Sequence, residues 1–275
     1  MKKRHKKKAS KVEKYHDRVA RTYDAMYEGS RYWDLYREIT WRHLKRYLPT
    51  LGKTCLDGGC GTGLWGLRLA RGGYDVILQD ISAGMLDKAA EKARNQGLEH
   101  RCTFLKGDFE TLEGVEDNSI ALLTAQGDPL SCVKNPRRAV QSIYRVLEPE
   151  GKAVISVDGL YGGSFFFLER NDIGGLEKYL RNGKTNWQTD ERGEQFPTTA
   201  FSAAKLRKLF EEGGFEVLSL IGKPVFPLRR YRRLLENRDT YVKLLNMELK
   251  YGAEPELLGG AAHLEIAVCK GAKSD

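Results

Sequence analysis

A short apolar run ends in an acid, and four glycines follow within six residues: Thr54-Cys55-Leu56-Asp57-Gly58-Gly59-Cys60-Gly61-Thr62-Gly63. Leu64 to Ala70 then carries a helical pattern. Residues without a Cβ let the backbone turn sharply and let a ligand lie against it. The helix behind the turn brings unpaired N–H groups and a positive dipole end to the same spot. A strand, a glycine turn and a helix in that order point to an α/β chain with a ligand loop at its centre.

The rest of the chain fits around that unit. Apolar runs predict strands over Thr54–Gly58, Tyr74–Asp80, Arg101–Lys106, Ser119–Gln126, Lys152–Asp158, Phe215–Ile221 and His263–Lys270. Between them lie amphipathic helices with readable ends. Ser82 and Ser202 are N-caps, Gly72-Gly73 and Gly97 are stops, and Asn135-Pro136 opens a helix with proline in its first turn. Strands alternating with helices imply a parallel sheet covered on both faces, with ligands beyond the carboxyl ends of the strands. Asp57, Asp80, Asp108 and Gln126 all fall at such ends.

Two ligands suit the loop. Gly61-Thr62-Gly63-Leu64-Trp65-Gly66 matches the dinucleotide pattern G-x-G-x-x-G, with Asp80 where a ribose-binding acid belongs. Asp57 argues against a diphosphate, because a carboxylate before the bend repels it. S-adenosylmethionine (SAM) carries a sulfonium and an ammonium and no phosphate, so an acid there is favourable.

At these residues the chain resembles the class I SAM-dependent methyltransferases. Leu56 to Gly63 is similar to their first motif, Asp/Glu-x-Gly-x-Gly-x-Gly. Gly107-Asp108-Phe109 resembles their acid-aromatic pair beside the adenine, and Gln126-Gly127-Asp128-Pro129 the end of their fourth strand, where methyl group and acceptor meet. The resemblance implies a three-layer Rossmann-like fold with seven mostly parallel strands and the last strand antiparallel, inserted between the fifth and sixth. It implies SAM as cofactor, held by Tyr23, Tyr27, Asp57, Gly58, Gly59, Gly61, Thr62, Gly63, Asp80, Ile81, Met85, Gly107, Asp108, Phe109, Gln126 and Gly127. N-terminal helices cover the cofactor in similar enzymes, which is why the tyrosines of Thr22-Tyr23-Asp24 and Tyr27 enter that set.

The expected layout is a disordered basic tail over 1–14 and one methyltransferase domain over 15–275. Its core takes 50–158, 202–221 and 262–270, and insertions of 159–201 and 222–261 form a cap over the active site. Of the formal net charge of +9, residues 1–14 contribute +7. The body is therefore nearly neutral, and the tail is a candidate contact for RNA or an acidic partner. Arg229-Arg230-Tyr231-Arg232-Arg233 is a candidate anion-binding run, against the plainer reading of a solvated helix face. No apolar run approaches a membrane span. Cys55, Cys60, Cys102, Cys132 and Cys269 are odd in number and lack a Cys-x-x-Cys pair, which predicts a reducing, cytoplasmic home and no disulfide framework.

Methyl transfer from a sulfonium needs alignment and exclusion of water more than it needs a base. Asp128, Tyr161 and the five histidines (His5, His16, His43, His100, His263) are the candidates for one. Asp128 is nearest the expected methyl position, no histidine is assigned, and no metal-ligand spacing is visible. The acceptor expected is an O or N atom of a small molecule, with RNA or protein as the alternative. An NAD-binding oxidoreductase is the more distant one.

Overall fold

The computed structural model describes residues 9–186 and 195–272. Its seven-stranded sheet is built from β1 (Thr54–Gly58), β2 (Asp75–Asp80), β3 (Cys102–Lys106), β4 (Ile120–Ala125), β5 (Leu147–Asp158), β8 (Phe215–Lys223) and β9 (His263–Lys270). The order across the sheet is β3-β2-β1-β4-β5-β9-β8. The pairs from β3 through β5 are parallel, and β9 runs antiparallel to both β5 and β8. The fold expected from the sequence is the fold observed. The glycine loop sits at the switch point, where β1 is flanked by β2 on one side and β4 on the other.

Helices cover both faces because the strands are apolar on both sides. On one face α6 (Pro136–Val146) and α9 (Ala203–Glu212) bring Val140, Ile143, Leu206 and Phe210 against Leu123, Ile155 and Val268. On the other, α3 (Leu64–Arg71) and α4 (Ala83–Asn95) bring Leu67, Leu69 and Ala89 against Val76, Leu78 and Val154. The caps read from the sequence close in the expected way: Ser82, Asn135 and Ser202 each accept an amide N–H from the first turn of α4, α6 and α9.

Two boundaries differ from expectation by more than two residues. Helix α1 spans Lys11–Val19, so the tail drawn to residue 14 is too long. Ser10 and Glu13 form a reciprocal capping box, a pattern present in the sequence as Ser-x-x-Glu. Residues 1–8 of the tail lie outside the described residues. Strand β5 starts at Leu147 rather than Lys152, because Glu150 takes a left-handed conformation within it and lets the strand continue past the expected turn.

The additions to the core cluster at one end. Helix α2 (Arg31–Leu44) follows α1, and the first insertion holds α7 (Ser164–Leu168), α8 (Ile173–Asn182) and a hairpin of β6 (Lys184–Asn186) with β7 (Pro197–Thr199). It has a small core of its own: Leu160, Phe167, Tyr179 and Ala200. Trp187 lies outside the described residues. The second insertion holds α10 (Arg238–Tyr251) and α11 (Pro255–Leu258). It packs on α2 through Leu35, Ile39, Leu235 and Leu245. Among the described residues no helix is long and apolar enough to cross a membrane.

Candidate active site

The loop after β1 is shaped by three glycines in left-handed conformations: Gly59 at φ 67°, Gly61 at 54° and Gly63 at 85°. A Cβ on Gly61 would meet nothing nearer than the Tyr23 ring at 3.9 Å, so the backbone there fronts open space below that tyrosine. Gly58 is packed more closely, with the Phe109 ring 2.6 Å from where a Cβ would stand. Asp57, expected to face a positively charged ligand, lies at the base of the loop. It is 1% exposed, and Oδ2 accepts the Gly66 amide of α3 at 2.7 Å. Burial pushes its pKa up to about 7. Oδ1 has no protein partner among the described residues.

Asp80 ties the loop to the next helix. Its Oδ2 accepts the Gly61 amide and its Oδ1 the Ser82 amide, each at 2.8 Å. Burial raises its pKa above the usual carboxylate range, and those two amides work against the rise. Each oxygen keeps a second lone pair for another donor. Beside it, Gln79 Nε2 is buried with no hydrogen-bond partner among the described residues. Gly107 donates its amide to the Asp80 carbonyl at 3.0 Å. Asp108 closes a turn on the Glu110 amide at 2.9 Å, which sets Phe109 against Gly58. Ile81 is half-buried between Asp80 and Ser82. Met85, expected at the ligand, is fully buried beneath α1 with Val19 and Ala20.

The N-terminal segment closes over this end. Asp17 of α1 accepts Ser82 Oγ at 2.6 Å and the Gly84 amide at 3.1 Å. Asp24 accepts Thr62 Oγ1 at 2.6 Å and pairs with Lys92 at 2.5 Å. The Thr62 hydroxyl thus holds the cover, a role the loop motif alone does not suggest. Tyr23 and Tyr27 pack with their rings tilted, 5.2 Å between centres. Burial, then Tyr27 and Asp80, drive the Tyr23 phenol well above its ordinary pKa.

Beyond β4 the site becomes strongly charged. Gly127, at φ 80°, has open space where a Cβ would stand. Gln126 was expected on the cofactor and instead turns inward. Its Oε1 accepts from Lys223 Nζ at 2.7 Å, and its Nε2 donates to the Val154 carbonyl at 3.1 Å. The fully buried Lys223 also donates to Thr40 and to Glu265. Glu265 reaches His43 at 2.6 Å, whose other nitrogen contacts Ser219 at 2.6 Å. Burial would raise Glu265, but Lys223 and then His43 hold it below the usual range.

Asp128, left-handed at φ 66°, places Oδ2 2.7 Å from His263 Nδ1, while its Oδ1 is buried with no hydrogen-bond partner among the described residues. Asp158 stands 3.9 Å from the same nitrogen. Burial, followed by repulsion from Asp128, pushes Asp158 up to about 7. The ligating atoms of Asp128, Asp158 and His263 lie within 4.8 Å of one another, close enough for a cation. Sequence spacing could not show this trio, since its members come from three distant strand ends. Of the other histidines, His43 is locked in the Glu265 network, His16 packs against Tyr15 and Phe196, His100 is exposed, and His5 lies outside the described residues.

The insertions touch α1 and each other. Phe196 of the first rests on Tyr15 of α1 at 5.5 Å. Arg230 of the second pairs with Glu169 at 3.3 Å and lies 4.6 Å over the Phe165 ring. Burial raises the Tyr27 and Tyr32 phenols, and the Arg229 charge works against that rise. Tyr161 is exposed at the rim.

Residues 55–151 match the family model described as a methyltransferase domain. Over 94% of this chain and 97% of its own length, the tRNA 5-carboxymethoxyuridine methyltransferase of Escherichia coli (strain K12) is 24% identical. A ubiquinone biosynthesis O-methyltransferase of Psychrobacter arcticus is 27% identical over 68% of each chain. A SAM-dependent methyltransferase structure from Methanosarcina mazei shares the fold, with a TM-score of 0.59, 22% identity, and 84% of this chain and 98% of that one covered.

Proposed function

We propose that this chain, a class I S-adenosylmethionine-dependent methyltransferase, methylates a carboxylate oxygen of an acceptor carried on tRNA. The relative that spans nearly the whole chain, both insertions included, carries this reading. It acts on tRNA 5-carboxymethoxyuridine, whereas the small-molecule O-methyltransferase spans about two thirds. The eight Lys/Arg among residues 1–14 and the arginines at 229, 230, 232 and 233 supply the charge an RNA backbone needs.

The residues fit SAM. The Asp80 lone pairs suit the two ribose hydroxyls, and Gly107 to Phe109 flank the adenine side. Gly58 to Gly63 offer backbone to the amino-acid moiety, below Tyr23 and Tyr27. Asp57 Oδ1, without a protein partner among the described residues, would accept from the ammonium. Bound there, SAM supplies a methyl group on a sulfonium, so a C–O bond forms to the acceptor as the C–S bond breaks, its electron pair remaining on sulfur. A carboxylate acceptor has no proton to lose, so the chain's part is to orient it and exclude water.

A free small-molecule acceptor is the second reading, favoured by the way Arg230, Glu169 and Phe165 join the two insertions over the mouth. Nothing in the charge arrangement favours a nicotinamide nucleotide. The deciding experiment is transfer of labelled methyl from SAM by pure protein to bulk tRNA at 50 and at 200 mM salt. The tRNA reading expects label in tRNA, falling at least roughly tenfold at the higher salt. Label appearing only in a small-molecule extract supports the second reading and ends the first.

A further inference from the structure

Three exposed apolar side chains line up on the first insertion. From Gly159 the chain winds through Tyr161 into α7. The Gly163 N–H donates to the Gly159 carbonyl, and the Glu169 N–H to the Phe165 carbonyl, each at 3.0 Å. Tyr161, Phe165 and Leu168 are spaced four and three residues apart, so they fall on one face of that helical path. They are 52%, 37% and 48% exposed. Leu160 and Phe167, on the opposite face, are 3% and 6% exposed and pack on Tyr179. Glycines fix this rotation. A Cβ on Gly159 or Gly162 would collide with the Ala261 carbonyl, and one on Gly163 with the Tyr179 hydroxyl. The glycine side is thus held against the chain that leads into β9, and the Tyr161 side faces out.

An apolar stripe left in water marks a contact surface. The charges beside it say what covers it. Arg230 of the second insertion stands 4.6 Å over the Phe165 ring and pairs with Glu169 at 3.3 Å. The acid that follows the stripe is thereby neutralised. Arg229, Arg232 and Arg233 are exposed and form no ion pair among the described residues. No acid lies between residues 224 and 235. Aromatic rings beside a surplus of guanidinium groups, one of them already stacked on a ring, suit a polyanion whose own rings are free to stack. The stripe also begins three residues beyond Asp158, the carboxyl end of β5. The glycine loop after β1 and Asp128 after β4 lie at that same end of the sheet.

The geometry points to Tyr161 and Phe165, with Arg230 stacked on the latter, as a platform for unpaired bases of an RNA loop whose phosphates Arg229, Arg232 and Arg233 hold. This rests on the tRNA acceptor proposed above. It adds which surface takes the RNA, and that the RNA is single-stranded there. A duplex keeps its bases stacked on one another and offers the platform no free faces.

The test uses full-length protein loaded with S-adenosylhomocysteine. The probe is a short RNA hairpin with 2-aminopurine in its unpaired loop, and the control is an RNA duplex of the same length. Anisotropy reads binding, and quenching of 2-aminopurine reads stacking. The hairpin should bind at least roughly tenfold more tightly than the duplex, with quenching. Tyr161→Ala and Phe165→Ala should each weaken hairpin binding roughly tenfold and reduce the quenching, with duplex binding and the salt slope unchanged. Arg232→Gln combined with Arg233→Gln should instead shrink the salt slope by about one to two and keep the quenching at saturation. These side chains are exposed, so the unfolding midpoint should stay at its wild-type value.

Equal affinity for hairpin and duplex, or alanine variants that bind the hairpin as the wild type does, overturns the platform. So does a dimer in sedimentation that Phe165→Ala dissolves, which assigns the stripe to a second copy. Pelleting with phosphatidylglycerol vesicles that both alanine variants abolish overturns it in favour of a membrane surface. If bulk tRNA takes no methyl label while Phe165→Ala still loosens the hairpin, the tRNA reading falls and the platform stands. If tRNA is labelled and both alanine variants keep the wild-type KM for it, the reverse holds.

Discussion

Asp57 Oδ2 and the Gly66 amide, 2.7 Å apart, fasten the end of β1 to the first turn of α3. The contact is close enough that only glycine fits at 66. A Cβ there would stand 2.8 Å from Leu78 and 3.0 Å from Asp57 Oδ2. Gly66→Ala should therefore lose about 1–3 kcal/mol in urea unfolding, through displacement of Leu78 and lengthening of this bond. An unchanged midpoint would mean that α3 can shift freely on the sheet.

Asp80→Asn places an amide where the carboxylate now accepts two backbone N–H groups. Only one of its two atoms can accept, so a donor faces a donor. Binding of S-adenosylhomocysteine should weaken by roughly tenfold or more in calorimetry, from about 1–3 kcal/mol of lost hydrogen bonding. Tyr23→Phe separates packing from polar contact. Retained affinity in that variant assigns Tyr23 to the wall of the site alone.

Stability should fall as pH rises from 6 to 8.5. Asp57, Asp158 and Glu248 are each pushed up to about 7 by burial, so the folded chain binds more protons than the unfolded one between their ordinary pKa values and about 7. His263, also raised, contributes stability that is present at low pH and lost as pH passes its folded value, the same sign. Asp128 and Glu265 are shifted downward, so their contribution is lost only under acid conditions. Thermal midpoints across the range should decline by ~5 °C or more, with proton release on unfolding near pH 6.5. A midpoint that climbs with pH refutes these assignments.

The cover over the loop should open independently of the core. Asp17→Ala removes the acceptor for Ser82 Oγ and the Gly84 amide, and Asp24→Ala the acceptor for Thr62. Neither change touches the central sheet. The double variant should release S-adenosylhomocysteine roughly tenfold faster in stopped-flow displacement, with early cleavage near α1 under limited proteolysis and little change in the unfolding midpoint.

What could be read from the sequence was whatever sits close along the chain. The glycine loop, the acid ending β2, the caps at Ser82, Asn135 and Ser202 and the placement of β9 all depend on local patterns, and each is where it was expected. The capping box at Ser10 and Glu13 was equally local and would have corrected the tail boundary. The partners of Asp57, Thr62 and Gln126, namely Gly66, Asp24 and Lys223, are fixed by tertiary packing, so no local pattern names them. His263 and Asp128 meet across 135 residues, and His43 and Glu265 across 222. No periodicity encodes such a pairing, so a histidine that opens a strand looks the same whether it faces solvent or a carboxylate.

Strand β8 has one hydrogen-bonded neighbour in the sheet, and that neighbour is β9. A nascent chain that has emerged only as far as residue 260 therefore holds residues 215–223 with no ladder to join and Lys223 with no Glu265 beside it. The buried Lys223–Glu265 network, however well the glycine loop is formed, is complete only when residues 263–270 take their place between β5 and β8. Synthesis and activity are in this way separated by the arrival of a single strand.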